Sequence, residues 1–166
     1  MYDKLTESDI KKMEAEIEHR KLVVRPKAAQ DVKEAAAQGD RSENFEYCAA
    51  KKFLRQNDSR IRYLERMIRT AEIIPDDSAA DEVGLNNTVT IEFIEDEEVE
   101  TFKIVTSVRA DSVSGMITNV SPLGKAILGK KVGDIAHVEV KPGVGYDVKI
   151  LKLENTDDAD DEIRSF

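Results

Sequence analysis

Residues 37–52 read AQGDRSENFEYCAAKK, and Gly39 within them interrupts two long runs of helical spacing. Upstream, from Thr6 to Gln38, the apolar side chains fall at Ile10, Met13, Ile17, Val24, Ala28, Val32 and Ala35, with charged residues between them. That is the period of an amphipathic helix. The steps are heptad-like to Val24 and then become steps of four, close to Pro26. Proline has no N–H to donate, so the helix is expected to bend or change its winding there. Downstream, Tyr47, Ala50, Leu54, Asn57, Ile61, Leu64, Ile68 and Ala71 alternate steps of three and four, which is a coiled-coil seam. So short a break permits only an antiparallel return, and residues 1–74 are predicted to form a helical hairpin with an acidic tip near 39–46. At 1.5 Å per residue, an arm of about 30 residues reaches roughly 45 Å.

The tip carries two carboxylates, Asp40 and Glu43. Asp at an N-cap followed by Glu at the third helical position is a capping-box pattern, and both charges favour a helix N-terminus. Capping does not require the turn to sit at the end of a long arm. Two carboxylates also supply hard oxygen ligands of the kind Mg²⁺ prefers, although too few for an octahedral site. Such a tip could complete a metal site held elsewhere but could not constitute one, and capping alone also accounts for the pattern.

Beyond the tip, Lys52, Arg55, Arg62, Arg66 and Arg69 share the outer side of the second helix, away from its Leu54/Ile61/Leu64 seam. Between Lys51 and Arg69 only Asp58 and Glu65 oppose seven basic residues, a balance that suits either a solvated face or contact with phosphates. Tyr47 and Phe45 offer rings to a base, although Tyr47 lies on the seam. The charge is unevenly spread. Residues 1–75 hold 16 Lys and Arg against 14 Asp and Glu, and the remainder 9 against 20, within a net charge of −9. An acidic protein with a locally basic arm can approach nucleic acid without being a general DNA binder.

The period changes after Ile73. IIPDDSAADE lacks periodicity, and 75–82 is expected to be a linker. Alternation at Val89, Ile91 and Phe93, at Phe102 and Ile104, at Ala136, Val138 and Val140, and at Tyr146, Val148 and Ile150 predicts the strands of a half-buried sheet over 83–155. Within it, SPLGKAILG reads as one short helix capped by Ser121, begun by Pro122 and ended by Gly129. The fold class is therefore α+β, with a small, mainly antiparallel sheet domain. Residues 156–166 form an acidic tail, expected to be frayed.

Other chemistry is poorly served. His19 and His137 are isolated, so no histidine metal cluster or Ser/His/Asp site is suggested. KPGVGY lacks the phosphate-loop signature and reads as a turn between strands. Cys48 is alone, which suits a reducing compartment. No run approaches a membrane span or a signal peptide, and a soluble cytoplasmic protein is the expectation. The hairpin buries its own seams, which favours a monomer.

Together, GDRSENFEY and SPLGKAILGKKVGD resemble the bacterial Gre transcript cleavage factors, GreA and GreB. The likeness spans roughly Leu5 to Leu153 and includes the step at Arg25 and Pro26. It implies a coiled-coil hairpin entering the secondary channel of RNA polymerase and an FKBP-like domain docking at its entrance through Ser121, Pro122 and Leu123. It further implies that Asp40 and Glu43 help hold a catalytic Mg²⁺ in the polymerase and orient water, with Ser42, Asn44 and Phe45 supporting the tip. Lys52, Arg55, Arg62, Arg66 and Arg69 would guide the nascent RNA 3′ segment of a backtracked complex. The factor would lend residues to an enzyme without being one. A non-cleaving channel regulator of the same architecture is the alternative, and an FKBP-like prolyl isomerase or chaperone a more distant one. Two departures stand out: Asp9 where the family usually has glycine, and Met13 where it usually has leucine.

Overall fold

A computed structural model describes residues 3–39, 44–76 and 79–165. The chain divides into two compact units: Ile10–Ala71, and Asp3–Asp9 together with Glu72–Ser165.

The first unit is a helical hairpin. Helix α1 (Glu7–His19) runs through a π-helical turn at Arg20–Val24 into α2 (Arg25–Ala36), and α3 (Phe45–Thr70) returns. The π turn sits where the spacing changes. Pro26 lies at the start of α2 and contributes no donor, while the Arg25 N–H reaches back five residues to the Arg20 carbonyl. The expected change of winding is thus a widened turn, the form that π-bulges inside helices take. The return is antiparallel: Glu16 meets Arg60, Arg20 meets Asn57, and nearest the turn Ala35 meets Asn44. The seam is buried at Ala28, Ala35, Asn57, Ile61 and Leu64.

Asn57 is the polar member of that seam. Its side-chain carbonyl accepts from Arg20 Nη1 at 2.9 Å and its amide donates to the Arg20 carbonyl at 3.3 Å. A buried Asn that bonds both ways across a seam specifies register, because any slip leaves it unsatisfied.

In the second unit β1 (Lys4–Leu5) pairs in parallel with β2 (Glu72–Ile73). A five-stranded sheet has the order β5-β4-β3-β7-β6, with β3 (Thr88–Phe93), β4 (Glu98–Val105), β5 (Met116–Thr118), β6 (Ile135–Lys141) and β7 (Val144–Glu154). All its pairings are antiparallel except β4 with β5 at one edge. Val89, Ile91, Ile104, Ala136, Val138, Val148 and Ile150 form one buried cluster with Val83, Leu85 and Ile127, whereas Val140, expected on the same face, is exposed where the register shifts between Glu139 and Lys141. Ile127 comes from α4 (Pro122–Ile127), the short helix of SPLGKAILG. Phe93 packs against Phe102 and Tyr146 at centroid distances of 6.4 and 5.6 Å.

Two boundaries differ from the expected ones. Among the described residues, Asp3–Asp9 and the residues from Glu72 on group with the sheet unit and not with the hairpin, because Lys4 and Leu5 pair with Glu72 and Ile73. The acidic tail is not frayed along its length: Thr156 bonds the Asn86 carbonyl, Asp161 pairs with Lys103 and Arg109, and the Arg164 N–H bonds the Val108 carbonyl. A local reading saw charge there and no partner; the partners lie some 50 to 70 residues back in sequence.

Candidate functional site

Asp40, Ser42 and Glu43 lie outside the described residues. What frames them is described. Helix α2 ends with Ala37 as its C-cap, and Gly39 follows with φ +140°, a conformation that side-chain-bearing residues rarely adopt. Helix α3 starts at Phe45, and its N-cap is Asn44, not Asp40 as the capping-box pattern suggested. The Asn44 Oδ1 accepts from the Tyr47 N–H at 3.0 Å while its Nδ2 donates to the Ala35 carbonyl at 2.7 Å. A carboxylate can satisfy the first bond but not the second, since it has no proton to give. One side chain therefore caps α3 and ties it to the last turn of α2. Phe45 is 89% exposed beside it.

The basic face is open. Lys52, Arg55, Arg62, Arg66 and Arg69 are all exposed on α3. Arg62 bonds Ser59, and the Arg66 guanidinium lies 5.7 Å from the centre of the Tyr63 ring. The two acids that share this stretch are turned to the first helical arm of the hairpin: Asp58 pairs with Arg25 at 2.9 Å and Glu65 with Lys21 at 2.6 Å. Their hydrogen bonds go to that side, although Glu65 stays within electrostatic reach of Arg69. Arg60, one of the seven basic residues, is instead buried, where its guanidinium binds Glu16. Glu16 also accepts from Arg20. Burial by itself would raise the Glu16 carboxyl, but the bonds from Arg60 and Arg20 outweigh it and hold the group below the ordinary value of 4.5.

In the sheet unit, Ser121 caps α4 by accepting from the Gly124 N–H and donating to the Thr118 carbonyl. Pro122 is exposed, and Leu123 is half-buried against the core. These three residues do share one short, rigid turn. A Cβ at Gly124 would stand 2.1 Å from the Thr118 carbonyl oxygen, so only glycine lets the helix approach β5 so closely.

A cluster that the local patterns did not single out surrounds Arg109. Its guanidinium is fully buried, with Nε 2.6 Å from Asp9 and Nη1 2.6 Å from the Asn86 side-chain carbonyl and 2.8 Å from Asp161. Asp9 is the third helical residue after Thr6, and the two exchange side-chain bonds to each other's N–H. The T-x-x-D spacing in LTESD is the signal that could have found the box; the ion pair, 100 residues distant, leaves none.

The N-terminal model of the transcription elongation factor family matches residues 4–73, and the C-terminal GreA/GreB model matches 78–155. The chain belongs to the GreA/GreB family of transcription elongation factors. This Gre-family chain is 47% identical over 153 residues to transcription elongation factor GreA of Streptococcus gordonii, covering 92% of this chain and 95% of that one. It is 46% identical over the same span to GreA of Streptococcus pneumoniae serotype 2. Among solved structures, the transcription factor Gfh1 aligns over 93% of the Gre-family chain and 99% of its own, at 23% identity and a TM-score of 0.46. GreA factor homolog 1 of Thermus thermophilus aligns over 93% and 100%, at 23% identity and a TM-score of 0.43. Among the described residues, no helix is long and apolar enough to cross a membrane.

Proposed function

We propose that this transcription elongation factor stimulates RNA polymerase to cleave backtracked nascent RNA, and that Asp40 and Glu43 are the residues it contributes. The observation that carries the reading is the framing of these two acids. They stand between the ends of two long helices that Asn44 ties together, and they are followed by a basic face whose nearby acids are engaged elsewhere. Family membership, through both matched regions, supports the same activity.

The chemistry divides between two proteins. Asp40 and Glu43 supply oxygen ligands to a Mg²⁺ whose remaining ligands come from the polymerase, since two carboxylates cannot fill an octahedral shell. When bound, the ion lowers the pKa of coordinated water and offsets charge that develops as a phosphodiester is hydrolysed. Lys52, Arg55, Arg62, Arg66 and Arg69 hold the displaced RNA by its phosphates, and Ser121, Pro122 and Leu123 form the contact of the sheet domain with the polymerase. The factor acts in the cytoplasm as a monomer.

The test is cleavage of end-labelled RNA in stalled, backtracked polymerase complexes with wild type, Asp40→Ala and Glu43→Ala. Wild type is expected to stimulate cleavage, and each variant to lose it by about a hundredfold or more while still competing for polymerase, the scale at which an electrostatic contributor to a transition state is lost. Equal cleavage by all three proteins would overturn the assignment of the acids. Binding without cleavage by wild type would identify a regulator that occupies the polymerase without activating it.

A further inference from the structure

The C-terminal segment beyond residue 155 lies outside the matched family regions, yet it contributes a charge to the most buried ionic centre of the sheet unit. Four charged side chains meet there in a chain: Asp9, Arg109, Asp161 and Lys103. Arg109 Nε binds Asp9 Oδ1 at 2.6 Å, Arg109 Nη1 binds Asp161 Oδ2 at 2.8 Å, and Asp161 Oδ1 binds Lys103 Nζ at 2.8 Å. Arg109 and Asp9 are fully buried, and the Asp161 side chain is 9% exposed. Two anions balance two cations. Without Asp161, Lys103 Nζ loses its carboxylate and the buried Arg109 Nη1 keeps only Asn86, and a buried donor left without its partner is costly.

The rest of the segment is fastened on both sides of this centre. Thr156 donates to the Asn86 carbonyl at 2.6 Å and meets the Thr88 hydroxyl, Lys103 Nζ donates to the Asp157 carbonyl, and the Arg164 N–H donates to the Val108 carbonyl at 2.8 Å. On the other side of Arg109, Asp9 Oδ2 accepts from the Thr106 hydroxyl at 2.6 Å and from the Thr6 N–H at 3.1 Å. The carboxylate that caps the start of α1 and the carboxylate of the C-terminal segment thus grip one guanidinium.

We propose that residues 156–165 are a strap, closed by Asp161 on Arg109, that holds the segment Asp3–Asp9 in the sheet unit. The two segments are coupled through the guanidinium, Asp9 at Nε and Asp161 at Nη1. Because α1 opens at Glu7, the strap sets how firmly the beginning of the first long helix is held. Its opening frees that segment before the sheet itself unfolds, since β3 and β7 are held by their own ladder and by the apolar cluster.

The experiment is amide hydrogen exchange on the full chain, comparing wild type, Asp161→Asn and Asp160→Asn. The last removes the same charge from the same segment at an exposed side chain. Asp161→Asn is expected to speed exchange at residues 5–9 and 106–109 by at least about tenfold, with β3 and β7 unchanged, while Asp160→Asn behaves as wild type. Ending the chain after Asn155 should reproduce the Asp161→Asn pattern. Unchanged exchange at 5–9 in Asp161→Asn would overturn the proposal. So would an equal increase across β3 and β7, or the same local increase in Asp160→Asn.

Discussion

Asn44 and Gly124 each hold a position that no near relative in side-chain chemistry can fill. At residue 44 the requirement is an acceptor and a donor at once, for the Tyr47 N–H and the Ala35 carbonyl. The D-x-x-E pattern named the neighbourhood of the cap but not the residue, because it weighed only the acceptor. At residue 124 the requirement is the absence of a side chain. Gly124→Ala would press a methyl into the Thr118 carbonyl, a backbone group that cannot swing aside as the end of a flexible side chain can. A loss of about 1–3 kcal/mol is expected, read as a lower melting temperature of the sheet unit by circular dichroism. An unshifted melt would mean that α4 and β5 can part at little cost.

At the scale of elements, the hairpin is joined as much by charge as by its seam. The buried seam has small residues, Ala28 and Ala35, on α2 and branched ones, Ile61 and Leu64, on α3, and the partly buried Glu16 holds Arg20 and Arg60 at once. Glu16→Gln would leave the buried Arg60 guanidinium facing a neutral amide, at a cost of about 1–3 kcal/mol. The pH dependence has a defined sign. Glu16 is held below its ordinary value of 4.5 in the folded hairpin, so the folded state binds its proton less readily than the unfolded chain. Its contribution is complete above that ordinary value and disappears as pH falls through the lowered one. Thermal melts of wild type and Glu16→Gln should therefore differ near neutral pH and draw together as the solution is acidified below 4.5. A gap that persists in acid would assign the effect to packing. The π turn belongs to this scale too: the shift of spacing at Val24 and the proline at 26 located it, and only the backbone showed that the helix widens there.

For the whole molecule, the separation of charge matters more than its total. A net charge of −9 conceals a hairpin near neutrality with one open cationic face. Sequence showed seven basic residues and two acids in that stretch; the fold removes both acids to ion pairs with Lys21 and Arg25 and buries Arg60. Arg55→Glu combined with Arg62→Glu should weaken crosslinking of the RNA 3′ segment to the hairpin in stalled complexes by roughly tenfold or more at low salt, and by less as salt rises. Crosslinking that is indifferent to the reversal at every salt concentration would exclude phosphate contact by this face.

Periodicity and punctuation alone determined the hairpin, the four principal strands and the capped short helix, because each depends on neighbours within a few residues of one another. The parallel pairings of β1 with β2 and of β4 with β5, the capture of Asp58 and Glu65, and the meeting of Asp9, Arg109 and Asp161 were decided only by tertiary structure. Asp9 shows why. In sequence it is a departure from a family glycine and the third residue of a helix; in the fold it is half the counter-charge of an arginine 100 residues away. Local propensity carries no information about a partner at that separation, and a buried charge acquires its meaning from the partner that accompanies it out of water.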